Sequence, residues 1–317
     1  MSDAPAGTRY RRMQDLPSTH LLGTGTALCA GCGGLQAFRE FYELVGEKSV
    51  VVNAAGCMTL LCVYPFTPFR GSWLYTAMAS APAGAQGVRD ALDLLVAKGR
   101  LPAAEDLRVV VLTGDGAAYG MGLSATSAAI DRGLDFVYLC YDNEGYGNTG
   151  QQSSAATPHA ARTADAVRGQ PGSKKDLFAI WAAHRPAYVA TIIGSEPVDL
   201  ARKVERALAL RGPRLLLALT PCPTGWGFAP ELAIEVGRLA VRSGVWPLKE
   251  YRDGRVVHTR IPRPRRPVEE YLRTQRRFAH LFEPARDEAA LAEIQAAVDA
   301  YWAGVEGKPE PKTLLSG

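Results

Sequence analysis

Two sets of residues in this sequence have the types and spacing that chemistry requires. The first is sulfur: Cys29-Ala30-Gly31-Cys32 in a glycine-rich loop, then Cys57 in Ala55-Gly56-Cys57, then Cys222 in Thr220-Pro221-Cys222-Pro223. Four thiolates suit either Zn²⁺ or a 4Fe–4S cluster. One pair plus two dispersed singles is less compact than the two close pairs usual for zinc. Spacing alone leaves a cluster, a zinc ion and unrelated buried thiols all open. The second set is oxygen: Gly114-Asp115-Gly116, followed after residues 117–142 by Asn143. Asp115 offers a hard anionic oxygen and Asn143 a neutral one, which suits Mg²⁺ bridging to phosphate. The glycines let the backbone turn sharply and approach a ligand, and amides at a following helix start can hold a diphosphate. As an isolated tripeptide, Gly-Asp-Gly is usually an ordinary turn.

Context decides whether such residues can meet. The apolar run at 108–113 reads as a strand buried on both faces, 121–132 as a small-residue helix and 135–141 as the next strand. That is a parallel βαβ unit, with Asp115 and Asn143 beyond the ends of its two strands. A strand at 49–53 precedes it, flanked by helices at 34–45 and 83–98. A helix at 176–184, a strand at 188–193, a helix at 198–210 and a strand at 215–219 follow. This pattern predicts an α/β fold with an open, mostly parallel sheet and helices on both faces. Ligands of such sheets sit beyond the carboxyl ends of the strands, where Cys57 and Cys222 also fall. Helices at 231–243, 268–282 and 289–301 complete the chain. The expected division is a cofactor-binding α/β domain over 1–247 and a C-terminal connector with helices over 248–317, used for subunit contacts.

Composition excludes several functions. The 36 basic and 32 acidic residues leave a net charge of +4, too weak for nucleic acid, which needs a concentrated basic face. The one basic run, 260–266, is broken by prolines and reads as a solvated segment or a subunit contact. No apolar window is long enough for a membrane span, and residues 1–15 lack the apolar core of a secretory signal. A cytoplasmic location is expected, with all six cysteines as thiols. Cys140, inside an apolar strand, and Cys62 read as packing residues.

Gly-Asp-Gly with Asn at this distance resembles the thiamine-diphosphate enzymes. Beyond it, Cys29-Ala30-Gly31-Cys32-Gly33, Gly56-Cys57, Tyr141-Asp142-Asn143-Glu144-Gly145-Tyr146-Gly147-Asn148-Thr149-Gly150, Ser154-Ala155-Ala156-Thr157-Pro158 and Pro221-Cys222-Pro223-Thr224-Gly225-Trp226 occur in order. Together they resemble the β subunit of pyruvate:ferredoxin oxidoreductase and its 2-oxoacid relatives, over roughly residues 25–250. The resemblance implies the diphosphate-binding type of thiamine fold. It implies Mg²⁺ on Asp115, the Asn143 side chain and the Gly145 carbonyl, with Gly114, Gly116 and Thr149 shaping the cofactor loop. Asn148 would lie beside the reactive thiazolium carbon. Cys29, Cys32, Cys57 and Cys222 would hold the 4Fe–4S cluster nearest that ring.

The implied reaction is CoA-dependent oxidative decarboxylation of a 2-oxoacid, pyruvate most commonly, with oxalate, 2-oxoglutarate, branched-chain and aromatic 2-oxoacids as alternatives. The implied partners are a pyrimidine-binding α subunit, γ and ferredoxin-like δ subunits or their fusions, and ferredoxin. Because the family's activating glutamate comes from another chain, this chain alone is expected to have no turnover. Two departures stand beside the matches. Gly34 occupies a position where relatives often carry Glu or His, and Met58-Thr59-Leu60-Leu61 is more apolar than a pyruvate enzyme suggests. The rival readings are a thiamine enzyme without iron and a zinc-stapled non-catalytic module; iron and sulfide content separates them.

Overall fold

The apolar runs become the centre of an eight-stranded sheet. A computed structural model describes residues 9–65, 67–103 and 107–306. Its strands are β1 (Ser49–Ala54), β2 (Ser72–Thr76), β3 (Arg108–Gly114), β4 (Phe136–Asp142), β5 (Tyr188–Ile193), β6 (Pro213–Leu219), β7 (Leu248–Arg252) and β8 (Arg255–Arg260). They lie in the order β2-β1-β3-β4-β6-β5-β7-β8. The first six are parallel, and β7 and β8 are antiparallel additions. Every residue of β4, β5 and β6 is buried, as parallel strands covered on both faces require.

Successive side chains point to opposite faces, and each face has its own core. Val110, Leu112, Val137 and Leu139 pack with Phe38, Phe41 and Tyr42 of α1 (Gly33–Val45) and with Leu200 and Val204 of α5 (Pro197–Ala209). Val109, Val111, Phe136 and Tyr138 face the other way. They meet α2 (Ala81–Ala97), α3 (Leu123–Asp131), α4 (Leu177–Ala183) and α7 (Ala233–Arg242). Cys140 is a fully buried packing thiol on that second face.

The chain departs from the sequence reading in four places. β2 is an exposed edge strand that was not anticipated. The connector after 247 contains β7 and β8, joined at Asp253 and Gly254, both with positive φ, the backbone of a tight hairpin. The helix expected at 121–132 is preceded by a π-helical turn, Gly116–Met121, which starts directly after Asp115. The helix expected at 268–282 is α8 (Val268–Arg273) and then a 3₁₀ turn, Arg276–Leu281. The short α6 (Pro223–Trp226) follows β6, and α9 (Glu288–Glu306) closes the described chain. Among the described residues no helix is long and apolar enough to cross a membrane.

Candidate functional site

β1, β3, β4 and β6 are neighbours in the sheet, so the four loops at their carboxyl ends emerge side by side. Cys57 follows β1, Asp115 follows β3, Asn143 follows β4 and Cys222 follows β6. Cys32 joins them as the residue before α1. A cavity of about 320 Å³ is lined by Cys29, Cys32, Cys57 and Cys222 together with Asn143 and Asn148. All four cysteines are free thiols.

Glycines hold the thiol wall together by allowing backbone to touch backbone. Gly33 N–H donates to Pro221 O at 3.1 Å, which ties the Cys29–Cys32 loop to the Cys222 loop. A side chain on Gly33 would strike Pro221, and one on Gly31, at φ 69°, would strike Pro230. Leu35 N–H donates to Cys32 Sγ at 3.4 Å and Gly225 N–H to Cys222 Sγ at 3.3 Å. Burial pushes the Cys57 thiol up to about 12, with the sulfurs of Cys222, Cys32 and Cys29 adding to the shift. Burial likewise raises Cys32 and Cys222. Among the described residues, no three His, Cys, Asp or Glu side chains converge closely enough to share one ion. The four thiols line one cavity.

The two departures noted in the sequence prove to be one contact. A Cβ on Gly34 would lie 2.8 Å from the Met58 methyl and 3.6 Å from Cys32 Sγ. Met58 fills the room that Gly34 leaves, and Met58 and Leu60 give the cavity an apolar flank.

The oxygen wall is organised by charge. Asp115 is buried, and its Oδ2 accepts from Ser154 Oγ. One terminal atom of the Asn143 amide lies 2.7 Å from Asp115 Oδ1 and 2.7 Å from Gly145 O; as oriented, that atom is the amide oxygen. Two acceptors facing that atom call for the amide nitrogen there, donating to both, so the Asn143 carboxamide bridges Asp115 and Gly145. Burial, then the nearby Asp142, push the Asp115 carboxyl well above the usual carboxylate range. Gly116 leaves room for the Tyr146 ring, which a Cβ there would overlap.

A buried ionic network braces the Asn143 loop. Lys174 Nζ lies 2.6 Å from Asp142 Oδ2 and 2.8 Å from Glu144 Oε1. Arg277 Nη2 lies 2.6 Å from Glu144 Oε2, with its guanidinium 3.9 Å from the centre of the Trp226 ring. The Trp226 indole N–H donates to Asn143 O at 2.8 Å, and Thr157 Oγ1 donates to Glu144 O at 2.9 Å. Glu144 sits at φ 62°, a left-handed conformation that persists only where surroundings fix it. Burial opposes its charge, yet Lys174 and Arg277 hold it below the ordinary carboxylate range. Nothing local in the sequence marks Lys174 or Arg277 for this site, and Ser154 and Trp226 stand there within motifs that carry no sign of these contacts.

Asn148 and Thr149 are exposed on the 3₁₀ turn Gly147–Thr149 at the cavity mouth. The loop closes through Tyr146 N–H to Gln152 O at 2.9 Å and Gln152 Nε2 to Thr149 O at 2.8 Å. Three polar residues near the site have other surroundings. Arg70 is exposed, His159 lies 3.7 Å from Glu293 on a separate cavity, and the Tyr146 ring covers Gly116.

Residues 54–218 match the model of the thiamine pyrophosphate enzyme C-terminal, thiamine-binding domain family. Pyruvate synthase subunit PorB of Methanocaldococcus jannaschii is 40% identical over 275 residues, covering 85% of this chain and 92% of that protein. The chain belongs to the β-subunit family of the 2-oxoacid:ferredoxin oxidoreductases. The corresponding PorB of Thermotoga maritima is 36% identical, covering 88% of this chain and 89% of its own length. The ketoisovalerate oxidoreductase subunit VorB of Pyrococcus horikoshii is 35% identical, covering 81% and 85%. In fold, the chain is similar to a solved 2-oxoglutarate:ferredoxin oxidoreductase from Magnetococcus marinus, with TM-score 0.55 at 20% identity over 69% of this chain and 79% of that one. The chain is thus a subunit of an oxidoreductase family, with a thiamine-diphosphate-binding domain at its centre.

Proposed function

We propose that this chain binds Mg²⁺–thiamine diphosphate and a 4Fe–4S cluster side by side, within a complex that oxidatively decarboxylates a 2-oxoacid. Pyruvate is the favoured substrate, coenzyme A the acyl acceptor and ferredoxin the electron acceptor. The observation that carries the reading is one cavity with four thiols on one wall and Asn143 and Asn148 on another. Carbanion stabilisation is what bound thiamine diphosphate supplies, and one-electron acceptance is what the cluster supplies.

The residues fit both groups. Asp115 Oδ1, Gly145 O and the Asn143 carboxamide converge within 2.7 Å contacts, and with the amide turned to present its oxygen they would supply the hard oxygen ligands that Mg²⁺ takes. A cation there offsets the burial that disfavours the Asp115 carboxylate. The turn Gly116–Met121, directly behind Asp115, presents first-turn amides of the kind that hold a diphosphate. A single tetrahedral Zn²⁺ would draw its sulfurs to within ~3.8 Å of one another. Four thiols lining a cavity of about 320 Å³ leave room for a multi-atom cluster. Leu35 and Gly225 N–H groups then stabilise thiolate charge on Cys32 and Cys222.

This chain's own residues position and do not complete the reaction. Asp115, Asn143 and Gly145 hold the metal, Lys174 and Arg277 fix Glu144 and so the loop, and Asn148 orients substrate at the mouth. No residue of this chain takes the activating-glutamate role, which falls to a partner subunit. A branched-chain 2-oxoacid is the second reading, favoured by the apolar flank of Met58 and Leu60.

The test is viologen reduction by the anaerobically purified complex across a panel of 2-oxoacids, beside the isolated chain. We expect turnover by the complex, fastest with pyruvate, and none by the chain alone. Sustained turnover by the isolated chain, or a complex inert to every 2-oxoacid, refutes the proposal.

A further inference from the structure

Gln151 lines the cavity with a carboxamide that has no partner. The side-chain amide of Gln151 is closed off from solvent at both ends, and neither Nε2 nor Oε1 has a hydrogen-bond partner. Burying such a group unpaired costs about 1–3 kcal/mol. An orphan of this kind in a native fold calls for a specific partner.

The backbone is arranged around that amide. Gln151 sits at φ 63°, held there by its N–H donating to Tyr146 O at 2.9 Å and by Ala164 N–H donating to its carbonyl at 3.0 Å. A Cβ on Gly145 would lie 2.5 Å from Gln151 Nε2, and one on Gly225 would collide with Oε1. Both positions are glycine, and the amide occupies the room they leave. Gly225 is also the residue whose N–H donates to Cys222 Sγ. A Cβ on Gly147 would lie 3.5 Å from Gln151 Oε1 and 3.6 Å from Cys57 Sγ. The amide therefore sits between the Cys57 and Cys222 loops and lines the same cavity as all four cysteines.

We propose that Gln151 donates its amide N–H to sulfur of the cluster held by Cys29, Cys32, Cys57 and Cys222, and by doing so raises that cluster's reduction potential. The inference rests on the cluster reading above. Oε1 is the end toward the Cys57 and Cys222 loops and Nε2 the end toward Gly145; thiolate and sulfide offer acceptors only, so the carboxamide, unpartnered at both ends, turns over to present its NH₂ group to sulfur. Hydrogen bonds to sulfur are one of the levers that set Fe–S potentials, because they favour the more negative, reduced state. Gln151 is in this sense a tuning residue, not a ligand.

The experiment is an EPR-monitored redox titration of the anaerobically purified complex, following the signal that Cys57→Ala removes. Gln151→Met keeps the length and flexibility of the side chain but cannot donate. Gln151→Glu keeps the shape and replaces the donor by an acceptor. We expect the potential to fall in Gln151→Met by about a tenfold shift in the one-electron equilibrium, ~59 mV, and further in Gln151→Glu. Thiamine diphosphate affinity, measured by calorimetry, should stay unchanged in both. A wild-type potential in both variants overturns the inference. So does an unmoved potential accompanied by tenfold weaker thiamine diphosphate binding, which would place the amide on the organic cofactor. Wild-type complex without an iron signal at these cysteines overturns the cluster reading itself, a failure distinct from the other two.

Discussion

The two walls of the cavity are held in place by different physics. The oxygen wall is electrostatic: Asp115 and Asn143 lie beside buried Asp142, Glu144 and Arg277 and the half-buried Lys174, linked by ion pairs of 2.6–2.8 Å. The thiol wall is steric: Gly31, Gly33 and Gly225 let three loops press together where any side chain would collide. A divalent cation and a diphosphate need charged groups fixed in advance, whereas thiolates need backbone N–H groups and close walls. Each wall should therefore fail in its own way and leave the other intact.

The hardest test of that separation is Asp115→Ala. It removes the one anionic side chain among Asp115, Asn143 and Gly145. Retention of thiamine diphosphate and Mg²⁺ should drop by at least ~100-fold, with iron and sulfide unchanged on cofactor analysis. Concurrent loss of iron would mean the walls are not independent. Arg277→Ala comes next, because it strips Glu144 of one of its two cations. Breaking a buried pair from one side costs about 3–5 kcal/mol, so the melting temperature should fall and thiamine diphosphate bind about tenfold more weakly. Iron content should again hold.

The converse perturbation is Gly225→Ala, whose methyl group meets the Gln151 amide beside Cys222. Iron per chain should fall in purified protein while thiamine diphosphate content stays; the opposite pattern breaks the comparison. The smallest effect is a control away from both walls. Burial pushes the Glu40 carboxyl on α1 up to about 8, so the folded state binds its proton more tightly than the unfolded chain. Stability then falls as pH rises from the ordinary carboxylate range through about 8. Glu40→Gln should flatten that slope, stabilising the fold at pH 8 and changing little at pH 4, in denaturant titrations. Both cofactor contents should remain as in wild type.

Sequence legibility follows the same division. The thiol wall was readable because Cys57 and Cys222 stand at strand ends, and parallel strands bring their carboxyl ends to one edge whatever the loops do. Asp115 and Asn143 were readable for the same reason. The bracing was not: Arg277 meets Glu144 across 133 residues, and nothing local marks an arginine as buried. Gly34 and Met58 each read as a departure, and only the 2.8 Å that would separate a Gly34 Cβ from the Met58 methyl makes them a single substitution of one packing solution for another. β2 escaped notice because its exposed residues carry no core periodicity. The β7–β8 hairpin did carry a signal, Asp253-Gly254 between two strand-like runs, but the prolines and arginines after it suggested an irregular connector.

Diffraction from crystals of the complex, recorded on both sides of the iron absorption edge, addresses the central claim most directly. The account predicts one compact iron anomalous peak enclosed by Cys29, Cys32, Cys57 and Cys222, beside density for a metal diphosphate at Asp115 and Asn143. No iron peak among those sulfurs, or a zinc-edge signal in its place, would contradict it.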